Sequence, residues 1–351
     1  MTSPTAADYT VVIPTLGRPS LTACLRALAA AGEPQPLQVV LVDDRRLDDC
    51  TPLPAEIPAE LRDRTKVVPG CARGPAAARN TGWRAADATP WVVFLDDDVV
   101  PGPAWASGLA ADLAAASPRT AGITADIAVP VPVERRSTDW ERNTAGLATA
   151  KWITADMAYR RDTLESVDGF DERFTRAFRE DADLALRTLA AGWTLAAGLR
   201  RTTHPVRPAD RWVSVRLQAG NADDVLMTRR HGRDWWHRAD APRGRLPRHL
   251  AVSAAAGASL ACAAAGRRRA ALVLAGLWLG GTAEFAWARI APGPRTRDEV
   301  VTMALTSAAI PPAAAGHWLR GLVRHRRVAP LSVRPAPAVP EALPQPVPER
   351  V

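Results

Sequence analysis

Four short stretches carry the side chains with the clearest chemistry: Val12-Ile13-Pro14-Thr15, Val42-Asp43-Asp44, Gly74-Pro75-Ala76-Ala77-Ala78-Arg79-Asn80-Thr81-Gly82 and Phe94-Leu95-Asp96-Asp97-Asp98. Carboxylates two residues apart at a strand end, here Asp96 and Asp98, can both turn toward one hard cation. Oxygen donors of this kind suit manganese or magnesium. The use of such a cation is to neutralise the charge of a departing diphosphate. Asp43 and Asp44 can accept hydrogen bonds from a base N–H or a ribose hydroxyl. Arg79 follows a glycine-flanked helix start, where a guanidinium and the helix dipole both favour a phosphate or a base. Taken alone, an acidic pair at a strand end is more often a solvated turn or a helix cap. Four stretches in order outweigh that reading.

These residues need a frame that brings them to one edge. Residues 10–15 form an apolar, β-branched run stopped by Pro and Gly17, which reads as a buried strand. Ser20 stands where an N-cap would, ahead of Leu21, Cys24, Leu25 and Leu28 at helical spacing. A strand over 37–42 ends on Asp43-Asp44, a helix follows over 75–86, and a strand over 91–95 ends on the three aspartates. Strands alternating with helices predict an α/β sheet with parallel strands, whose ligands bind at the carboxyl strand ends. Past residue 150, Trp152, Ile153 and Met157 read as a strand or edge segment. Residues 162–167 read as a short helix closed by Gly169, 180–191 as an amphipathic helix closed by Gly192, and 193–199 as a last strand before His204-Pro205.

At this point the chain resembles the family 2 glycosyltransferases, over about residues 10–230. The likeness extends into Gly169-Phe170-Asp171-Glu172-Arg173-Phe174 and Arg179-Glu180-Asp181-Ala182-Asp183. The resemblance implies a GT-A fold: a Rossmann-like, mostly parallel sheet flanked by helices. It implies a nucleotide-sugar site drawing on Pro14, Thr15, Asp43, Asp44, Arg79, Asn80 and Asp97, and a divalent cation (Mn2+ or Mg2+) held by Asp96 and Asp98 with His204. It implies Asp181 as the catalytic base, with Glu180 and Asp183 beside it to orient the base or the acceptor, and Asp156 and Arg160 on the acceptor side. The plainer readings are an N-cap and salt-bridge partner of Arg187 or Arg179 for Asp181, and a loop imidazole before proline for His204. One departure stands out: Asp44 is followed by Arg45-Arg46-Leu47 where Gly-Ser is the commoner continuation.

Residues 231–248, rich in Arg, Trp and Pro, read as a linker; Trp235-Trp236 with Arg233 and Arg238 suits either an interfacial anchor or stacking on a nucleic-acid strand. Three apolar stretches follow within residues 249–327. Residues 250–265 lack charge but reach only about 24 Å as a helix, short of a bilayer's hydrocarbon core of about 30 Å. Residues 270–288 are long enough and carry Glu284. Residues 300–319 contain Pro311-Pro312, expected to break a helix at its middle. A span over 250–265 would place Arg267-Arg268-Arg269 on the far side, against the positive-inside tendency, which a shallow hairpin or interfacial helices avoid. Residues 328–351, rich in proline, read as a disordered tail.

Composition bounds the rest. Hydrophobic residues at 47% and charged residues at 23% of 351 exclude wholesale disorder and a fibrous chain. Cys24, Cys50, Cys71 and Cys262 show no CxxC pair, which argues against a disulfide scaffold or a structural zinc. The net charge of +8 is almost all arginine, with Lys66 and Lys151 the lysines. It falls beside the apolar C-terminal segments, where anionic lipid is a plausible partner and nucleic acid is not expected. The polar first ten residues carry no secretory signal. The sequence therefore predicts a membrane-associated enzyme with its catalytic domain (1–230) facing the cytoplasm. It would move a sugar from a nucleotide-diphosphate donor to a lipid-linked or cell-envelope glycan hydroxyl. A sugar nucleotidyltransferase would need a Gly-rich basic loop where Gly17-Arg18-Pro19 stands. An inactive membrane scaffold would have lost Asp96, Asp98 or Asp181.

Overall fold

The first strand is apolar on both sides of its pleat because both sides are covered. In the computed structural model, which describes residues 8–46 and 51–332, Tyr9, Val11 and Ile13 enter one core cluster and Val12 the opposite one. The next strands split the same way: Val39 and Leu41 from Val40 and Val42, and Trp91, Val93 and Leu95 from Val92 and Phe94. A sheet buried on both faces has no need for polar alternation, and its strands read as continuous hydrophobic runs.

The catalytic half runs β1 (Tyr9–Thr15), α1 (Ser20–Ala29), β2 (Gln38–Asp43), α2 (Ala59–Arg62), β3 (Thr65–Pro69), α3 (Pro75–Ala85), β4 (Trp91–Leu95), β5 (Val100–Pro101), α4 (Trp105–Ala114), β6 (Thr120–Ala128), α5 (Asp139–Ala145), β7 (Asp156–Arg160), α6 (Arg161–Ser166), α7 (Glu180–Ala190) and β8 (Thr194–Thr203). There follow α8 (Val213–Arg216), α9 (Gly220–His231), α10 (Trp235–Arg238), α11 (Leu246–Ala264), α12 (Arg268–Ile290) and α13 (Arg297–Arg324). The strands form one sheet in the order β3-β2-β1-β4-β7-β6-β8-β5. The nucleotide half, β3-β2-β1-β4, is parallel as expected. The second half is mixed: β7 runs antiparallel to β4 and β6, and β5 to β8. The order of winding reverses at β1, with β2 on one flank and β4 on the other, all three strands running parallel. That switch point is where an open α/β sheet offers a crevice at its carboxyl strand ends.

Several expectations need correction. Ser20 is the first helical residue of α1; Pro19 precedes it and no side chain caps the helix. β7 is interior to the sheet, not an edge. Asp156 and Arg160 do not line the cleft between the two halves. Asp156 is fully buried and accepts from Arg200 Nε (2.9 Å), Trp105 Nε1 (2.6 Å) and Thr202 Oγ1 (2.5 Å). Arg160 donates to the Thr120 carbonyl and lies over the Trp91 ring. Pro311 and Pro312 do not interrupt α13, which runs unbroken to Arg324. Nor does residue 230 end the packed unit: α13 crosses α9 so closely that a Cβ on Gly321 would stand 2.8 Å from the Ala222 Cα. Trp235, 5% exposed, packs with Phe174, Leu226 and Met227, so it serves neither as an interfacial anchor nor as a stacking platform. Most of the proline-rich tail, residues 333–351, lies outside the described residues, as do residues 1–7 and Cys50.

Arg200, 1% exposed, pairs with both Asp156 (2.9 Å) and Asp112 (3.0 Å). Removing Asp156 leaves it the Asp112 carboxylate but strips the buried Trp105 N–H and Thr202 hydroxyl of their acceptor. Asp156→Ala is therefore expected to cost about 2–4 kcal/mol, read as a lower urea midpoint. Asp156→Asn, which keeps an acceptor for Trp105 and Thr202, should cost clearly less.

Candidate active site

β4 ends on three aspartates that point two ways. Asp97 turns toward β1: its oxygens accept from Thr15 Oγ1 (2.6 Å) and Arg18 (3.0 Å), which ties the two strand ends across the switch point. Asp96 and Asp98 turn the other way and meet His204, which follows β8. One ligand atom from each lies within 4.8 Å of the others. His204 Nδ1 is 3.2 Å from the Pro205 carbonyl, which can only accept. A hydrogen bond there uses the proton of Nδ1 and leaves Nε2, 3.8 Å from Asp98 Oδ1, as the ring atom that could hold a cation. Burial, and then the nearby Asp96, push the Asp98 carboxyl above its usual range, against His204 and Arg207. Asp98 Oδ2 is buried and accepts no hydrogen bond, though the Arg207 guanidinium stands 2.8 Å away. Two carboxylates and an imidazole fit a divalent cation such as manganese.

Arg79 connects this corner to the second acidic group. α3 starts at Gly74, whose φ of +93° and position 2.4 Å (as a Cβ) from the Thr175 carbonyl exclude a side chain. At Gly82 a Cβ would sit 2.3 Å from Val12 Cγ1, so α3 lies tight on the sheet. Arg79, 2% exposed, therefore projects into the cleft floor. One nitrogen donates to Asp96 (2.7 Å), another to Glu180 (2.9 Å).

Glu180 and Asp181 open α7, after Arg179 in a left-handed conformation (φ 75°) that aims the first turn. Neither arginine of the plainer reading holds Asp181: Arg187 pairs with Asp183 and Arg179 with Asp224. Burial raises the Asp181 carboxyl above its usual value, while the Ala182 N–H, Arg79 and Arg179 work in the other direction. Burial and the adjacent Asp181 push Glu180 up to about 8, and Arg79 only partly offsets them. Asp183 faces away, bound to Arg187 and His231; those partners overcome its burial and hold it down at about 2.

One cavity of about 960 Å³ takes in Pro14, Thr15, Asp44, Arg79, Asp96, Asp97, Asp98, Glu180, Asp181 and His204. Asp43 and Asn80 stand outside its lining. Asp43 is paired with Arg45, whose hydrogen bonds hold it below the usual carboxylate range. Asn80 pins the next loop, donating to the Phe170 carbonyl and accepting from the Phe170 N–H and Trp83. Asp44 accepts from the N–H groups of Arg73 and Gly74, which shapes the loop entering α3. Three cleft residues escaped the sequence reading: Arg18, Arg207 and Trp140. Arg207, three residues after the histidine, had a readable position. Trp140 had only the capping box of Thr138 and Glu141, which marks a helix and says nothing of its location.

The family model Glycosyl transferase family 2 matches residues 10–183. The chain is 32% identical over 208 residues to the pre-mycofactocin glycosyltransferase of Mycobacterium tuberculosis, in strains CDC 1551 / Oshkosh and ATCC 25618 / H37Rv alike; the match covers 54% of this chain. It spans only 40% of the length of those relatives. Among solved structures, a mannosyltransferase from Pyrobaculum calidifontis in complex with GDP-Man and Mn2+ shares the fold. Its TM-score is 0.52 at 22% identity, covering 90% of this chain and 89% of that one. Sheet order, acidic strand ends and family match agree: residues 10–183 carry a glycosyl transferase family 2 domain.

Proposed function

We propose that this chain is a metal-dependent, inverting glycosyltransferase using a nucleotide-diphosphate sugar. The observation that carries this is one cleft in which the donor set Asp96, Asp98 and His204 and the acid pair Glu180-Asp181 share a floor made by Arg79. The donor class agrees with the GDP-Man held by the mannosyltransferase of the same fold. A divalent cation bound at Asp96, Asp98 and His204 supplies charge neutralisation for the leaving nucleoside diphosphate. Asp181 accepts the proton of an acceptor hydroxyl. The hydroxyl oxygen forms its bond to the anomeric carbon as the bond from that carbon to the diphosphate oxygen breaks. A single displacement inverts the centre. Glu180 and Arg79 hold Asp181 and Asp96 apart at a fixed spacing.

We place the enzyme at a membrane, with the catalytic domain toward the cytoplasm and a lipid-linked or cell-envelope glycan as acceptor. α12 is long and apolar enough to cross a bilayer, and none of its apolar window is buried within the protein. It packs against α11 as a hairpin that exposes Leu260, Leu272, Leu277 and Leu279. Arg267-Arg268-Arg269 sit at the turn between the helices, and Arg245 with Glu284 at the base. A hairpin of this size also suits partial insertion with its arginines at headgroups.

A panel of nucleotide-diphosphate sugars with MnCl2 should raise the melting temperature of the wild type for at least one donor. Asp98→Ala should lose that rise, and Asp181→Asn should keep it while losing about a hundred- to ten-thousand-fold in turnover. No stabilising donor, or full turnover in Asp181→Asn, overturns the assignment. The membrane placement predicts that replacing Leu272, Leu277 and Leu279 with Asp abolishes flotation with anionic vesicles; unchanged flotation refutes it.

Glu180 adds a pH signature. In the native chain it keeps a proton up to about pH 8 that the unfolded chain releases near its ordinary value of 4.5. Between those values the native state binds more protons, so this group's contribution to stability falls as pH rises. Without added metal, Glu180→Gln should gain melting temperature relative to wild type on going from about pH 5 to about pH 8.5. Parallel pH profiles would contradict the raised ionisation.

A further inference from the structure

α5 forms the wall of the cleft facing the acids, through Trp140, Asn143 and Thr144. It is seven residues long, and Thr144 is its one buried residue. So short a helix has neither the length nor the apolar face to fix its own place. Its anchors are polar, and most come from the C-terminal helices. Arg289 on α12, 7% exposed, donates to Asp139 Oδ2 (2.7 Å) with one nitrogen and to Thr306 Oγ1 (2.8 Å) and Ser307 Oγ (3.1 Å) on α13 with another. Its carbonyl accepts from Arg142 (2.9 Å), and Glu299 on α13 accepts from the Asp139 N–H (2.8 Å). From α5 the chain of contacts continues inward. Trp140 Nε1 donates to the Arg207 carbonyl (2.6 Å), and the Arg207 guanidinium lies 2.8 Å from Asp98.

We propose that Arg289 is a positioning residue for the cleft: through Asp139 it fixes α5, and α5 sets Trp140 and the segment that carries His204 and Arg207. An arginine at the base of an apolar hairpin would ordinarily point to solvent or lipid headgroups. This one turns inward, because a planar guanidinium can reach one acid and two hydroxyls at once where an ammonium cannot. The helices proposed to meet the membrane are then part of the cleft's construction. The proposal rests on the reading of that cleft as the transfer site.

The test uses full-length protein labelled with 5-fluorotryptophan, the Trp140 fluorine resonance being assigned by its loss in Trp140→Phe. Arg289→Met and Asp139→Asn are each expected to shift or broaden that resonance. They should also speed amide exchange across residues 139–145 by about tenfold or more, with β1, β2 and β4 unchanged. Arg289→Lys, which can reach one partner but not all three, should fall between wild type and Arg289→Met, and the double variant should be no worse than the single ones. If Arg289→Met does not fold, Asp139→Asn and Arg289→Lys decide. An unmoved Trp140 resonance with native exchange in α5 overturns the proposal. Added Mn2+, against Mg2+ as the diamagnetic reference, separates this from the functional reading. If Mn2+ fails to broaden Trp140 in wild type, the metal site is wrong; if the variants still move the resonance, the positioning role stands.

Discussion

The buried guanidinium of Arg79 is the interaction on which the cleft depends. It stands between two carboxylates, Asp96 and Glu180, that arrive from the ends of different elements and would otherwise repel each other. Each acid costs several kcal/mol to bury alone, and a shared planar cation lowers that cost for both. The compensation is incomplete, since Glu180 remains pushed up to about 8. Burial and the neighbouring Asp181 thus favour the neutral form of Glu180, so the acids of the cleft do not all ionise together. Position matters as much as charge: the absent Cβ at Gly82 lets α3 lie against β1 and β2, and this sets how deep Arg79 reaches.

The catalytic half was legible because its signals are local. A strand buried on both faces announces itself as an apolar run, and the aspartates that end β2 and β4 need only the direction of those strands to be placed. α7 was equally plain, its first turn acidic and its apolar positions at helical spacing. What escaped depended on partners distant in sequence. Nothing near Asn80 reveals that the Phe170 backbone, 90 residues on, holds it. Asp156 reads as a polar residue in a functional stretch, yet it neutralises Arg200 inside the sheet. Those contacts span 44 residues and more, and no local pattern carries them.

The C-terminal region shows the same division. The apolar composition of α12 was readable, whereas the continuity of α13 was not. Two prolines remove two intrahelical hydrogen bonds and favour a break in an isolated helix. Here Pro311 is buried beside Ile310 and Ala314, and α13 packs on α9, α11 and α12 along its length. Tertiary packing outweighs local propensity, as it does for most helices in folded proteins. The same packing ties α13 to α9 and, through its contacts with α11 and α12, joins the hairpin to the rest of the described chain.

Part of the arginine content is used to fold the acidic cleft. A net charge of +8 carried almost wholly by arginine resembles, at the level of composition, a surface made for a polyanion. In the folded chain many of these side chains are committed to acids: Arg18 to Asp97, Arg45 to Asp43, Arg79 to Asp96 and Glu180, Arg200 to Asp112 and Asp156, Arg207 to Asp98. Two of the five bridge a pair of carboxylates, which a flat, forked donor does from one fixed plane and a lysine ammonium does not. A site that must gather carboxylates for a cation needs such counter-charges to fold before any cation arrives. Those five arginines face seven carboxylates, so the pairs cancel internally and the net charge of +8 is carried elsewhere on the chain.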